Sequence, residues 1–391
     1  MAPRVGWRVP GEPEEGDPSK RGWPPGFGRG RAELDAVLVL TSLPWLRPRR
    51  LRPIVWRRGS ASAALRAVRA GAELGPADTA VARATDAREV RAAVEACGAR
   101  VAVQGDDEYD PRLLALADPP TALFLRGRPL TPGATRISVV GTRKPSRVGA
   151  DVAETLGADL AASGVCVVSG AANGIDSCAH EGAVAVGGPT VAVLAEGIVG
   201  DRGGRRGVLL RKVARCGTVL SEAAPSIEAQ RHRFPARNRL VAALGVGVIV
   251  VEGAERSGSL ITVDHANDLG ITVLAVPGAV TNPMAVAPIG LIRSGVQAIR
   301  HAGDVCDALG IPVDDIAIRE RRRSLGAMLD GTEARVFDAV GDGVLPEQVA
   351  RETGLTIAEA LGCLLRLELR GLVSGDGGRY RRMVRTAITD A

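Results

Sequence analysis

The middle of the chain alternates short, continuous apolar runs with longer segments of helical periodicity. Continuous apolar strands separated by helices indicate a parallel sheet that is covered by helices on both faces. The apolar runs are 24 to 28 residues apart and begin near Ile137, Val165, Thr190, Thr218, Val246, Thr272 and Val296. The pattern therefore predicts an α/β fold with a doubly wound parallel sheet over residues 101–310.

The pattern is different before this core. Residues 1–32 are rich in proline, glycine and charge, and their aromatic residues have no periodicity, so we expect a disordered tail. Residues 33–100 show helical periodicity around an arginine-rich stretch at 47–58, which predicts a small helical domain of the SAM or helix-hairpin-helix-like type. The arginines have two interpretations. They are a DNA contact, or they are solvated side chains on a helical cap.

A third unit follows the core. Residues 311–328 are predicted to be a charged linker, and residues 329–385 carry the pattern of a winged helix-turn-helix domain. The predicted helices and β-ribbon lie at 333–340, 345–353, 357–370 and on both sides of the glycine turn 375–378. The third helix of such a domain usually contacts duplex DNA, but here it is nearly neutral. A partner-binding or dimerisation role is therefore at least as well supported.

The turn after the first core strand has the features of a phosphate site. Doubly wound sheets bind ligands at the carboxyl ends of their strands. Gly141 opens a turn that leads into a helix, and Arg143 and Lys144 add positive charge to the backbone N–H groups there. The spacing matches neither the dinucleotide-binding glycine motif nor the P-loop, so NAD and ATP are not supported.

Two further turns have similar features. After the second strand, two glycines allow close backbone approach, and Asp176 is expected to cap the following helix. After a later strand, hydroxyl groups at a helix N-terminus suit either a phosphate or self-capping. The candidate residues of these two turns are Ser169, Gly170, Asn173, Gly174, Asp176, Ser257, Gly258, Ser259 and Thr262.

A basic segment carries the only aromatic residue between Phe124 and Phe337. Phe234 stands among four arginines, and Pro235 is expected to hold it in an extended conformation that displays the ring. A ring flanked by positive charge suits a site that binds a flexible polyanion and stacks one base. The segment therefore predicts single-stranded nucleic acid as the ligand, with candidate contacts Arg231, Phe234, Arg237, Asn238 and Arg239.

Composition narrows the functional classes. The formal net charge of +6 favours an acidic partner. The six cysteines and four histidines show no metal-ligand spacing, so we expect no bound metal. No serine or cysteine lies in a nucleophile elbow. We therefore expect a protein that has no cofactor and is not an enzyme. No apolar run is long enough to span a membrane, and the N-terminus lacks a secretory signal. We therefore expect a cytoplasmic protein with reduced thiols.

The ordered motifs resemble the DNA-processing protein A family, DprA or Smf. They are Val140-Gly141-Thr142-Arg143, Ser169-Gly170 with Gly174-Ile175-Asp176 and His180, Ser221-Glu222, Phe234 to Arg239, Ser257 to Thr262, and Ala275-Val276-Pro277-Gly278. The resemblance covers roughly residues 35–385. It implies an extended Rossmann-like core that binds single-stranded DNA, forms a homodimer and loads the RecA recombinase in natural transformation.

Some positions depart from the family pattern. Asn173 stands where the family usually has arginine, Thr142 replaces a usual serine, and residues 201–207 lack the customary Tyr-Pro. Residues 284–290 carry apolar side chains where the family tends to have Ser, Gly and Asn. One expected phosphate contact and one loop thus differ from the family pattern. Arginines between 202 and 211 either restore charge nearby or form a solvated helix face.

Two other functions fit the same fold. Nucleotide phosphoribohydrolases of the lysine-decarboxylase-like group share the sheet type, but their P-G-G-x-G-T-x-x-E motif is not in this sequence. A transcriptional regulator would sense a nucleotide with the core and read duplex DNA with the winged helix. The near-neutral third helix argues against the regulator.

Overall fold

The structure is a computed structural model that describes residues 22–43, 46–200, 203–225, 227–312, 331–341, 343–369 and 373–382. Within these residues no helix is both long enough and apolar enough to cross a membrane.

The N-terminal helical domain contains five short helices. They are α1 (Arg31–Thr41), α2 (Pro48–Arg58), α3 (Ala61–Ala70), α4 (Pro76–Ala84) and α5 (Ala87–Ala96). Pro48 and Pro76 are first residues of their helices, where a missing N–H costs nothing. The buried faces of α1, α2 and α3 meet in one apolar cluster.

The predicted disordered tail is wrong for residues 22–32. Trp23 and Phe27 are 4% and 3% exposed, and their rings stack with centroids 4.3 Å apart. The Trp23 indole N–H donates to the Pro120 carbonyl at 3.1 Å. Tertiary packing against the helical domain thus orders a segment whose composition has no periodicity. The rest of the predicted tail, residues 1–21, lies outside the described residues.

Nine strands form the central sheet. They are β1 (Ala99–Ala102), β2 (Leu123–Gly127), β3 (Arg136–Val140), β4 (Cys166–Ser169), β5 (Thr190–Leu194), β6 (Thr218–Ser221), β7 (Gly247–Val250), β8 (Thr272–Ala275) and β9 (Gln297–Ala298). Their spatial order is β1-β2-β6-β5-β4-β3-β7-β8-β9. Strands β3 to β9 pair in parallel, whereas β1 and β2 add an antiparallel edge next to β6.

Seven helices accompany the parallel strands. They are α6 (Arg147–Ala162), α7 (Ile175–Ala185), α8 (Gly204–Cys216), α9 (Arg233–Leu244), α10 (Ser259–Asp268), α11 (Val286–Arg293) and α12 (Ala302–Leu309), with 3-10 turns at Pro111–Ala115 and Pro283–Ala285. One face of the sheet packs on α9 and α10, and the opposite face packs on α6, α7 and α12. The predicted doubly wound fold is confirmed.

The chain reverses direction across the sheet at β3. Strands β4, β5 and β6 extend to one side of β3, and the chain then returns through α9 to β7 on the other side. At such a switch point the loops after neighbouring strands separate and leave a crevice. The loops after β3, β4 and β7 border this crevice.

The C-terminal domain is a winged helix, as predicted. Its elements are α13 (Gly331–Ala339), α14 (Pro346–Thr353), α15 (Ile357–Leu369), β10 (Val373–Asp376) and β11 (Arg379–Arg382). The helices bury Val336, Leu364 and Leu367 in a core of their own. Most of the predicted linker, residues 313–328, lies outside the described residues.

Candidate functional site

The loop after β3 is locked to its neighbours through backbone contacts. The Thr142 N–H donates to the Glu252 carbonyl at 2.7 Å, and the Ile175 N–H donates to the Thr142 carbonyl at 3.1 Å. A Cβ at position 141 would stand 2.6 Å from a side-chain carbon of Ile175, so only glycine fits. Gly174 has φ +90°, a conformation that other residues rarely adopt. The first two predicted turns therefore form one rigid unit.

Glu252 fixes the end of this loop. It is 6% exposed and accepts hydrogen bonds from the Ser146 N–H at 2.8 Å, the Ser146 hydroxyl at 2.6 Å and the Asn282 amide at 2.7 Å. Arg143 and Lys144, in contrast, are exposed. Two positive side chains thus project from a backbone that is held in place. The sequence pattern alone did not indicate this role of Glu252.

The loop after β4 is stabilised from within. Asp176 is 8% exposed and accepts from the N–H groups of Gly170 at 3.1 Å and Ala172 at 3.4 Å. The expected cap is therefore wrong, because Asp176 binds the loop before α7 rather than the first N–H groups of the helix, whose N-cap residue is Gly174. Burial raises the pKa of Asp176, and the nearby Arg237 opposes this.

Ser169 and Asn173 differ in access to ligand. Ser169 is fully buried and donates its hydroxyl to the Val139 carbonyl at 2.6 Å, so its side chain cannot meet DNA. Asn173 is exposed. Between them Ala171 has φ 49°, which is a strained left-handed conformation for alanine. Arg206 donates to the Ala171 carbonyl at 3.0 Å and pairs with Glu196. Arg206 thus supports the loop, a contact that helical spacing alone did not indicate.

Phe234 lies in the first turn of α9, so the expected extended conformation is wrong. Pro235 is the third residue of this helix, where an N–H would have no intrahelical partner, and the proline therefore does not interrupt it. The ring is half-buried, and the Arg143 guanidinium carbon lies 4.8 Å from its centroid. This distance is that of a cation–π contact. The structure thus brings together one residue from the loop after β3 and one from α9.

Arg237 and Arg239 are buried, which contradicts their prediction as direct contacts of a DNA strand at the surface of the crevice. Arg237 is 6% exposed and donates to the Val193 carbonyl at 2.5 Å. Arg239 is 9% exposed and pairs with Glu222 at 2.7 Å. Burial lowers the pKa of Arg237 to about 10, so it is still charged at neutral pH. The helical turn after Phe234 directs these side chains inward, whereas Arg231 precedes the helix and is exposed.

The third predicted turn joins α9 through Asn238, whose amide donates to the Gly258 carbonyl at 3.2 Å. Gly258 is exposed, and the Ser257 hydroxyl accepts from the hydroxyl of Ser259 at 2.8 Å. Ser259 and Thr262 are 6% and 1% exposed, so they contribute to the scaffold rather than to the surface. This cluster therefore presents mainly the Ser257-Gly258 backbone to a ligand.

The predicted site residues separate into a surface and a scaffold. The surface set contains Arg143, Lys144, Asn173, Arg231, Phe234, Asn238, Ser257 and Gly258. The scaffold set contains Gly141, Ser169, Gly170, Gly174, Asp176, Arg237, Arg239, Ser259 and Thr262. The three turns named from the sequence meet at one edge of the sheet. Among the described residues, no group of histidine, cysteine and carboxylate side chains could hold a metal ion.

Comparisons with known proteins show the family to which the chain belongs. A family model described as DNA recombination-mediator protein A matches residues 100–310, and one described as DprA winged helix domain matches residues 321–379. A DprA relative from Mycobacterium tuberculosis is 39% identical over 249 residues, 62% of this chain and 63% of the relative. The chain therefore spans just under two thirds of that relative's length.

Two further relatives extend the match. Protein Smf from Escherichia coli is 32% identical over 289 residues, which cover 72% of this chain and 77% of the relative. The X-ray structure of DprA from Streptococcus pneumoniae superposes with a TM-score of 0.59 at 27% identity, covering 71% of this chain and 96% of that one.

Proposed function

The chain belongs to the DNA-processing protein A (DprA/Smf) family, and from that premise we propose that it binds single-stranded DNA with the loops after β3, β4 and β7. The contact of Arg143 with the face of Phe234 is the observation that carries the proposal. It places a flat ring and a cation together on the surface of a rigid crevice.

This geometry favours a single strand over a duplex. An unpaired base stacks on an aromatic ring or on a guanidinium plane, whereas duplex bases are already stacked on each other. Arg143, Lys144 and Arg231 are all exposed and supply positive charge for the phosphates. Backbone N–H groups near Asn173 and Gly258 add neutral donors. We therefore expect affinity from the backbone and stacking, without readout of base sequence.

We further propose that the chain protects incoming DNA and loads the RecA recombinase in natural transformation, as the family resemblance implies. A protein partner needs an exposed surface, and α15 has one. Ile357, Leu361 and Leu365 are 48%, 41% and 54% exposed and are spaced four residues apart, which puts them on one face of the helix. This face suits the recombinase or a second copy of the chain, since homodimerisation is part of the same proposal.

The proposal also makes the chain a binder that acts in the cytoplasm rather than an enzyme. All six cysteines lie in described residues as free thiols, and free thiols persist in a reducing compartment. An activity assay tests whether the chain is a binder and not an enzyme. Purified protein should release no base from nucleoside monophosphates and hydrolyse no nucleoside triphosphate. Steady base release seen by chromatography would favour the phosphoribohydrolase class instead.

The central experiment measures DNA binding by fluorescence anisotropy over a range of salt concentrations. A single strand should bind more tightly than the matching duplex. Its log–log salt slope should be about −2 if the three exposed cations each neutralise a phosphate at about −0.7. Arg143→Ala should weaken binding and reduce the slope by about 0.7.

Arg215→Ala is the matched control. Arg215 is equally exposed but lies in the last turn of α8, close to the amino end of β6 and therefore at the opposite edge of the sheet. The variant has the same net charge as Arg143→Ala, and its salt slope should equal that of the unmodified protein. Equal affinity for the duplex, or equal effects of the two variants, would show that binding is not located at these loops.

A further inference from the structure

A cavity of about 260 Å³ lies between the N-terminal helical domain and the core. Leu46, Arg47 and Pro48 line it from the helical domain, and the carboxyl ends of β5 and β6 and the first turns of α9 line it from the core. None of its lining residues belongs to the loops after β3, β4 or β7. The cavity therefore lies beside the proposed strand-binding crevice, and the two share the first turns of α9.

The charge of the cavity favours an anion. Four arginines line it, namely Arg47, Arg233, Arg237 and Arg239, against the two carboxyl groups of Asp118 and Glu222. Four positive and two negative groups leave a formal excess of two positive charges. Burial raises the pKa of Asp118, and the charge of Arg239 opposes this. A neutral or cationic ligand would not neutralise this excess positive charge.

Two of these arginines have buried donors without an acceptor. The Arg237 Nε and one terminal nitrogen of Arg239, Nη1, have no hydrogen-bond partner. Both residues are more than nine-tenths buried, so solvent does not satisfy these groups. A buried donor without an acceptor is destabilising, and a charged one is more so. Arg239 uses its other terminal nitrogen for Glu222, which leaves Nη1 for a ligand oxygen.

The rest of the wall is apolar. Leu43, Leu46, Leu194, Ala223 and Leu240 line the cavity together with Pro48. A ligand that fits both the arginine-lined wall and the apolar wall of the cavity has an anionic end and a flat or apolar end. The volume lies below the roughly 300 to 1,000 Å³ of pockets that hold drug-sized ligands. The division of polarity fits a phosphate joined to a flat base, and the volume admits no more than one nucleotide.

We propose that this cavity binds the phosphomonoester of one nucleotide, with the phosphate on the arginines and the base against the apolar wall. The phosphate has two possible sources: a free nucleoside monophosphate, or the 5′-phosphorylated end of a DNA strand. The second source rests on the function proposed above. In either case the terminal phosphate carries more charge than an internal phosphodiester, which selects it.

The experiment is isothermal titration of the full chain with thymidine monophosphate and with thymidine, the same ligand without the phosphate. The monophosphate should bind, and thymidine should bind at least about tenfold more weakly, because charged hydrogen bonds contribute about 1.5 to 3 kcal/mol each. A parallel arm compares 5′-phosphorylated and 5′-hydroxyl oligonucleotides of one sequence. Preference for the phosphorylated end assigns DNA as the source, and monophosphate binding alone assigns a free nucleotide.

Arg47→Ala should weaken the phosphate-dependent binding about tenfold, whereas Arg49→Ala is the matched control. Both residues are exposed and lie at the start of α2, but Arg49 does not line the cavity. Ala236→Leu offers a second test, because it fills the cavity from α9 without removing a charge. It should abolish monophosphate binding and leave the affinity for a 5′-hydroxyl strand unchanged, which keeps this proposal distinct from the strand-binding one.

The proposal is overturned if neither the monophosphate nor the 5′-phosphorylated end shows phosphate-dependent binding. It is also overturned if Arg47→Ala and Arg49→Ala have equal effects, or if a folded Ala236→Leu variant binds as tightly as the unmodified chain. Melting temperatures of all three variants establish that they are folded.

Discussion

The start of α9 and its interior contain the same residue type in opposite environments. Arg231 is exposed just before the helix, while Arg237 and Arg239, less than three turns later, are 6% and 9% exposed. The exposed arginine has charge to offer a ligand. Each of the buried ones gives one of its nitrogens to a carbonyl or a carboxylate of the protein. A run of positive residues is therefore not by itself a DNA-binding surface.

The physical reason is desolvation. A guanidinium that leaves water must recover its hydrogen bonds inside the protein, and a buried ion pair broken at one partner is strongly destabilising. Arg237 recovers one bond at the Val193 carbonyl and lies beside the carboxylate of Asp176, which holds the loop after β4. The buried arginines thus determine the shape of the crevice, and the exposed ones determine what it attracts.

The largest expected effect separates these two roles. Arg237→Met keeps the length of the side chain but leaves Asp176 without its cation, and we expect the free energy of unfolding to fall by about 3 to 5 kcal/mol. Arg231→Met, the exposed match, should change it by less than about 0.5 kcal/mol. Urea denaturation measures both. If Arg237→Met kept full stability and lost only DNA affinity, Arg237 would be a direct contact of the DNA strand in the crevice.

A second buried group should make stability depend on pH. His180 is fully buried in α7, and burial lowers its pKa to about 4. The unfolded chain binds this proton near pH 6.5, so stability is complete above that pH and is lost as the pH falls towards 4. The loss should reach about 3 kcal/mol.

His180→Asn isolates this contribution, because asparagine keeps a donor for the Thr190 hydroxyl but does not titrate. The difference in unfolding free energy between the two proteins should shrink between pH 6.5 and 4. A difference that stayed constant over this interval would show that His180 does not titrate on unfolding.

The next largest effect is expected on DNA affinity when the half-buried ring of Phe234 is removed. Phe234→Ala should cost about 1 to 3 kcal/mol of single-strand affinity and leave the salt slope unchanged, because stacking involves no counterion release. Phe234→Leu is the control for apolar volume without a flat face, and it should lose nearly as much. If Phe234→Ala instead lowered the melting temperature sharply and left affinity intact, the ring would belong to the core.

The smallest effect is expected from the winged helix. A chain that ends at residue 312 should retain single-strand affinity within about tenfold, because the exposed cations of the crevice belong to the core. In α15, Arg366 is paired with Glu333 at 2.9 Å, and Glu359 accepts from the Thr356 hydroxyl at 2.7 Å. A larger loss in a truncated protein with an unchanged circular dichroism spectrum would place part of the site in this domain.

The predictions from sequence succeeded where one local rule acted alone. Continuous apolar runs at regular spacing predict buried parallel strands, and the order of helices and ribbon predicts a winged helix. The glycine turns at 141 and 174 could be placed because they follow strands directly. The same approach failed for Trp23 and Phe27, for the helical conformation of Phe234, and for Asp176, which was expected to cap the following helix.

These failures share a cause. Whether a ring or a charge is buried depends on what the rest of the chain brings against it, and a local pattern carries no such information. Trp23 is ordered by the carbonyl of Pro120, which lies 97 residues further along the chain. Ser146 and Asn282 meet only because both bind Glu252.

By itself the sequence determined the fold class, the order of the domains and the edge of the sheet at which the predicted turns meet, because periodicity and glycine turns are local properties. Only the tertiary structure decided which arginines face the solvent and which are buried. It also created the cavity next to α2, whose walls come from segments about 190 residues apart in the chain, such as Arg47 and Arg237. Desolvation and packing act on residues that are close in space, and closeness in space is what the linear pattern does not contain.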